Sequence, residues 1–241
     1  MPAIVEGDDN RLYVLKFRGA GQGRKALIAE LIAGEVGRLL GLNVPEIVLM
    51  EMDPVMGQHE IDPEIQDLLR FSAGLNLAMA YLPSALMFTP RVSPPPDARL
   101  ASQIVWFDAY VMNVDRTPRN SNLLLWNKQF WLIDHGAALY FHHAWLNYQT
   151  RGRDPFKLIK DHVLLPMASE LSVVDAESVQ QLNAENLRAI VDSIPDDWLI
   201  GESLFETAAQ VRDVYYDFLV DRLNEPRVFV EEALNARTAL V

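Results

Sequence analysis

Leu12-Tyr-Val-Leu-Lys-Phe17 is an apolar run broken only by Lys16, the pattern of a strand whose side chains alternate between two faces. Tyr13, Leu15 and Phe17 therefore share one face of a strand, and Leu12, Val14 and Lys16 share the other. Ile4-Val5 and the turn residues Gly7–Asn10 precede this strand, so residues 1–17 read as a β-hairpin. From Lys25 to Leu40 the period lengthens to that of a helix, with Leu27, Leu31, Val36, Leu39 and Leu40 on one stripe and Gly41 as the stop. Asn43-Val44-Pro45 breaks the chain before a strand at 47–51. An acidic, irregular stretch at 53–73 contains a short helix around 63–71, and a strand at 75–82 runs into a hinge at Pro83. Ser93-Pro-Pro-Pro96 is a stiff linker. Asp97 caps the next helix, whose stripe is Leu100, Ile104, Phe107 and Val111. A hairpin pairs 123–126 with 130–133. The remainder reads as helices at 155–165, 185–194, 203–222 and 226–238, with Pro226 in a first helical turn.

Composition narrows the function classes. The chain has 241 residues, half of them apolar, enough for one large or two small units with a sizeable core. No run approaches the roughly 20 apolar residues of a membrane span, and the first residues lack the basic and apolar regions of a signal peptide. There is no cysteine, which excludes disulfides, thiolate metal sites and a cysteine nucleophile and suits a cytoplasmic protein. A net charge of -12 argues against non-specific nucleic-acid binding, which needs basic surface. Arg18, Arg24 and Lys25 nevertheless cluster after the lysine strand, and Arg116 and Arg119 sit near the middle of the chain. Cations gathered in this way predict a small, highly charged anion as ligand.

The candidate chemistry lies in Asp115-Arg-Thr-Pro-Arg-Asn120, followed by Asp134-His-Gly136 at the end of the second hairpin. An acid, a neutral amide and a second acid suit phosphoryl transfer: the first accepts a hydroxyl proton, and the other two hold Mg²⁺ against phosphates. Asp115 and Asn120 have the spacing of the protein-kinase catalytic loop. Upstream, Lys16 ends a strand whose Val14 would lie against an adenine. Gly19, Gly21 and Gly23 form a loop able to approach phosphate. Glu30 is the helical carboxylate expected to fix the Lys16 ammonium. Met79, Tyr81 and Leu82 would border the base. Each piece has a plainer reading: Lys16 as an edge charge, Glu30 as a solvated helix face, residues 19–23 as a flexible connection. Their order carries the signal. His135, His142 and His143 lack the companion spacing of a zinc site and read as local hydrogen-bonding groups.

With Tyr13-Val-Leu-Lys-Phe17, Leu39-Leu-Gly-Leu-Asn-Val-Pro45 and Asn113-Val-Asp-Arg-Thr-Pro-Arg-Asn120 in this order, the chain resembles the HipA-like kinases over residues 4–140. The resemblance implies an α+β, two-lobed protein-kinase-like fold, with residues 1–82 as a small lobe of antiparallel sheet plus helix and 83–241 as a larger, mostly helical lobe. It implies ATP and Mg²⁺ between the lobes, Asp115 as base, Lys16 on the phosphates, and Asn120 with Asp134 as metal ligands; Asn122 is an alternative to Asn120. The acceptor would be a hydroxyl, of a protein Ser/Thr or of a small molecule. The chain departs from the family in having Thr117 where a histidine usually follows Asp-Arg, and in being much shorter than the full toxins. A nucleotide-binding pseudokinase or scaffold is the second reading, and a metal-dependent phosphohydrolase the third. The latter leaves Lys16 and the hinge strand without purpose.

Overall fold

The structure, a computed structural model, describes residues 2–58, 60–91 and 93–240. Two small antiparallel sheets are set among helices, a mixed α/β architecture. The first sheet has β1 (Pro2–Glu6), β2 (Leu12–Lys16), β3 (Ile47–Met52) and β4 (Gly74–Ala80) in the order β1-β2-β4-β3. Val14 pairs with Met79 and Lys16 with Leu77, so the face carrying Lys16 also carries Leu77 and Met79. Helix α1 (Arg24–Leu39) packs on that face. The approach is close: a β-carbon on Gly34 would lie 2.3 Å from Ile47 Cδ1.

α1 does more than cover a sheet. Ten of its residues are buried, Glu30 among them, because its other side meets the helices that follow. Gly37 faces the Phe107 ring on α3 (Ala98–Tyr110). One continuous apolar core joins α1, β4, α3 and the helices α4 (Leu171–Gln181), α5 (Ala184–Asp192), α6 (Asp196–Leu199), α7 (Ala208–Leu223) and α8 (Val228–Thr238). The opposite face of the first sheet has its own small cluster, Tyr13, Leu15, Phe17, Met52 and Ala78, partly covered by α2 (Pro63–Phe71).

Local chemistry explains the element ends. Asp97 Oδ1 accepts from Leu100 N–H at 2.8 Å and starts α3. Asp62 caps α2 in the same way, with Pro63 in its first turn. In the second sheet, β5 (Leu86–Met87) pairs with β6 (Leu123–Trp126) and β6 with β7 (Gln129–Leu132). Asn127 and Lys128, at φ 49° and 63°, close this hairpin as a two-residue turn.

Several expectations require correction. Residues 155–165 hold no α-helix but short 3₁₀ turns, Lys157–Asp161 followed by Leu165–Met167; between Tyr140 and Met167 the backbone turns repeatedly, with Trp145, Asn147 and Phe156 at positive φ. The helix at 171–181 has Leu171 and Val174 buried but a weak stripe, and periodicity missed it. The segment expected as one helix at 203–222 begins as turns, and α7 starts after the Thr207 capping box with Gln210. Pro226 lies outside α8, which starts at Val228.

Candidate functional site

Lys16 at the end of β2 meets two carboxylates from different parts of the chain. Its Nζ lies 2.5 Å from Glu30 Oε2 on α1 and 2.7 Å from Asp134 Oδ1 after β7. Glu30 is fully buried, whereas Asp134 is exposed. Burial alone would push the Lys16 ammonium down in pKa, but Glu30 and then Asp134 outweigh it and raise it. Burial alone would raise Glu30; Lys16 and the hydrogen bond with His135 hold it well below the usual carboxylate range. His135 Nδ1 lies 3.3 Å from Glu30 Oε1, so the residue after Asp134 also touches the buried glutamate. Asp134 itself has φ 59°, a left-handed conformation that aspartate tolerates better than most residues. Gly136 then passes against α1, where an added β-carbon would sit 3.6 Å from Ala26 and Glu30 Oε2.

The Asp115 loop is built beside this cluster. Thr117 and Asn120 exchange backbone hydrogen bonds, at 2.9 and 3.1 Å, which folds residues 117–120 into a tight turn. The Thr117 backbone makes this closure. Asn120 Nδ2 donates to Asp115 Oδ2 at 2.7 Å and Asn122 Nδ2 donates to the same oxygen at 3.2 Å. Each amide thereby turns an N–H to Asp115, and each side-chain oxygen remains available to a metal ion. Asn120 is exposed and Asn122 buried. Asn122 is also tied to the hairpin: its backbone carbonyl accepts from Ile133 N–H at 3.1 Å. Asn122 Nδ2 also reaches the Asp134 carbonyl at 3.5 Å, so residues 115, 120, 122 and 134 form one hydrogen-bonded neighbourhood.

Beneath the loop lies a charged network that sequence reasoning missed. Asp108, buried on α3, takes Arg116 Nε at 2.5 Å, His162 Nε2 at 2.8 Å and Asn113 Nδ2 at 2.8 Å. Arg116 is buried too, and its guanidinium donates to the carbonyls of Ser121 and Asn122. The residue after Asp115 therefore clamps both ends of the loop. Burial alone would raise Asp108, but Arg116 and His162 hold it well below the usual range. His162 is pushed down by burial; with Nδ1 accepting from Leu164 N–H, its Nε2–H points to Asp108. A signal was available: Asp108 is the one charge within the apolar run Ile104–Met112.

Other nominated residues fall as follows. Val14 and Met79 are cross-strand partners beside Lys16. Tyr81 and Leu82 follow β4 and are half-buried, with Tyr81 N–H donating to Leu12 O at 3.0 Å. Gly19 is a packing position, because a β-carbon there would meet Phe71 Cβ and Ser72 Oγ at 2.8 Å. Gly21 and Gly23 hold positive φ, 48° and 63°. Of the five cations expected to face a ligand, Arg24, Lys25 and Arg116 are engaged elsewhere. Arg116 is sealed against Asp108. Arg24 donates to Asp197 O at 2.6 Å, and Lys25 pairs with Glu202 at 2.9 Å over the Trp145 ring. Among the described residues no group of three or more His, Asp or Glu is placed to hold a metal ion; His135 faces Glu30, and His142 Nδ1 lies 3.0 Å from Tyr215 Oη.

The model of the HipA-like kinase family matches residues 1–228. The chain belongs to the HipA-like kinase family. A HipA-like kinase falls among the phosphotransferases, in keeping with the acids and amides gathered here. Among curated proteins no sequence matches the chain. Among solved structures it is similar to a proinflammatory kinase of Helicobacter pylori, CtkA, at 14% identity and a TM-score of 0.56. That alignment covers 99% of this chain and 94% of the other. At such identity the likeness shows the fold, and this HipA-like kinase shares it along nearly its whole length.

Proposed function

We propose that this HipA-like kinase transfers the γ-phosphate of ATP, with Mg²⁺, to the hydroxyl of a protein Ser or Thr. The reading rests on one observation: a single ammonium, Lys16, is held by a buried glutamate and by Asp134, residues brought together from three separate elements. In this reading the nucleotide lies between residues 1–82 and 83–241. Lys16, fixed by Glu30, binds phosphate oxygens. Val14, Met79 and Leu82 border the base; because Tyr81 N–H is committed to Leu12, a backbone donor to the base falls to Leu82. Gly19 shapes the loop, and Gly21 and Gly23 leave its backbone open to phosphate.

The donor set fits Mg²⁺. This ion keeps several waters and takes one or two protein oxygens plus phosphates rather than a complete protein cage, and Asp134 with the Asn120 carbonyl supplies hard oxygens of that number. Bound Mg²⁺ would neutralise charge developing on the phosphates. Asn122, buried and tied to the hairpin, positions Asp115. Asp115 receives the acceptor's proton as the hydroxyl oxygen bonds to the γ-phosphorus and the β–γ bridging oxygen departs with ADP. The cysteine-free composition suits the cytoplasm, where ATP and Mg²⁺ are plentiful. Calorimetry with ATP·Mg²⁺ tests the site: Asp134→Asn should weaken Mg²⁺-dependent binding at least tenfold in a folded protein. Equal affinity in both proteins would remove Asp134 from the metal, and no binding in the wild type would remove the nucleotide.

A further inference from the structure

The face of the first sheet that carries Tyr13, Leu15 and Phe17 points away from Lys16, and the proposed phosphoryl chemistry makes no use of it. It holds a cavity of about 910 Å³ between the sheet and α2. α2 closes it incompletely: Leu68 and Leu69 pack on the sheet, yet no residue of this helix is fully buried. Two apolar side chains on the cavity's far wall, Met56 and Ile65, are left 63% and 36% exposed. Concave apolar surface of this kind, rimmed by polar residues, can receive a partner's apolar side chains.

The lining has a second and a third property. Three of the chain's eight methionines, Met50, Met52 and Met56, border it. Methionine is flexible and polarisable, and it recurs where a groove must fit apolar side chains of varied shape. The rim carries Glu6, Asp8, Asp9 and Glu51, and no Lys, Arg or His is among the described residues that line the cavity. Asp9 is engaged by Tyr13 and Arg11, but Glu6, Asp8 and Glu51 make no ion pair among the described residues. Among the described residues that line the cavity the charge is of one sign, and only Asp9 has a cationic partner.

We infer that this groove docks a basic amphipathic helix of a partner protein, its apolar face in the methionine-lined cavity and its Lys or Arg residues on the acidic rim. The helix-in-groove mode joins an apolar stripe to a groove in this way. Other occupants fit less well. The acidic rim repels anionic lipid and nucleic acid. A second copy of a chain with net charge -12 meets like charge there. Strand addition uses a sheet edge, whereas the cavity lies over a sheet face.

The test uses the full chain and two synthetic 18-residue helical peptides, one of leucine and lysine and one of leucine and glutamate. Titration is followed by NMR of the methionine methyl groups and by fluorescence anisotropy of labelled peptide. The Leu/Lys peptide should shift the methyls of Met50, Met52 and Met56 and leave those of Met112 and Met167 in place. The Leu/Glu peptide should bind at least tenfold more weakly. Glu6→Lys/Glu51→Lys, two changes on the rim that break no ion pair among the described residues, should also weaken the Leu/Lys peptide at least tenfold and leave ATP·Mg²⁺ binding alone. Shifts at other methionines, equal binding of the two peptides, or unchanged affinity in the rim variant would each overturn the inference. All of these readouts are independent of kinase activity, so the docking site and the phosphoryl chemistry fail separately.

Discussion

Asp108→Asn removes one charge from a cluster that contacts no solvent. Asp108 and Arg116 side chains are both fully buried, and the carboxylate also holds His162 and Asn113. An asparagine there would turn an amide toward the Arg116 donors or leave them short of an acceptor, and the guanidinium would remain charged. Removing one partner of a buried pair costs about 3–5 kcal/mol, against a total stability of about 5–15 kcal/mol. For a chain of this length each kcal/mol lowers Tm by about 2–4 °C, so a fall of roughly 6–20 °C is expected. Circular dichroism on heating and in urea measures it at pH 7. The pH dependence has a defined sign. Asp108 is depressed in the folded state, so its stabilisation is complete above the unfolded aspartate value near 3.9 and is lost as pH falls through the lower folded value. The gap between wild type and variant should therefore close in acid, below about pH 4. The Asp115 loop should loosen too, since Arg116 would no longer be anchored beneath it. A Tm within 2 °C of wild type at pH 7, or a gap that stays constant into acid, would refute the claim that this pair underpins the loop.

Lys16→Met keeps the alkyl volume and drops the ammonium; ATP·Mg²⁺ affinity or turnover should fall at least tenfold with the protein still folded, as calorimetry and an assay of transferred phosphate would show, and wild-type values would return Lys16 to the role of an edge charge. Asn120→Ala and Asn122→Ala separate the two amides. The first should raise the Mg²⁺ concentration needed for nucleotide binding by about tenfold or more with little change in Tm, while the second should lower Tm, because the buried Asn122 side chain donates to Asp115 and its left-handed backbone, at φ 48°, suits asparagine better than alanine; a reversed pattern would exchange their roles.

Much of the N-terminal part was legible because its signals are local. Strand alternation placed Lys16 on the same face as Val14, and helical spacing placed Glu30 one turn inside α1, where the ion pair forms. The two runs flanking Asn127 and Lys128 gave the hairpin that returns Asp134 to the Asp115 loop. What was not legible depends on contacts distant in sequence. That α1 is buried on nearly all sides follows from α3, α5 and α6 packing on it, and no single stripe announces this. Arg24, Lys25 and Arg116 looked like ligand-facing cations because their partners, Asp197, Glu202 and Asp108, lie on other elements. Residues 140–167 are turns held by individual backbone hydrogen bonds, and such a segment has no period to detect.

Asp115 as the general base is tested by transfer of labelled γ-phosphate. Wild type and Asp115→Asn are incubated with labelled ATP and Mg²⁺, and phosphate on a Ser or Thr of the protein itself or of a generic protein acceptor is counted beside ATP binding by calorimetry. Asparagine nearly matches aspartate in shape, so nucleotide affinity should change by less than about threefold. Transfer should fall by about 10²- to 10⁴-fold, the range for a general base. Transfer at the wild-type rate in Asp115→Asn would contradict the account, and ATP binding without transfer in either protein would favour a pseudokinase.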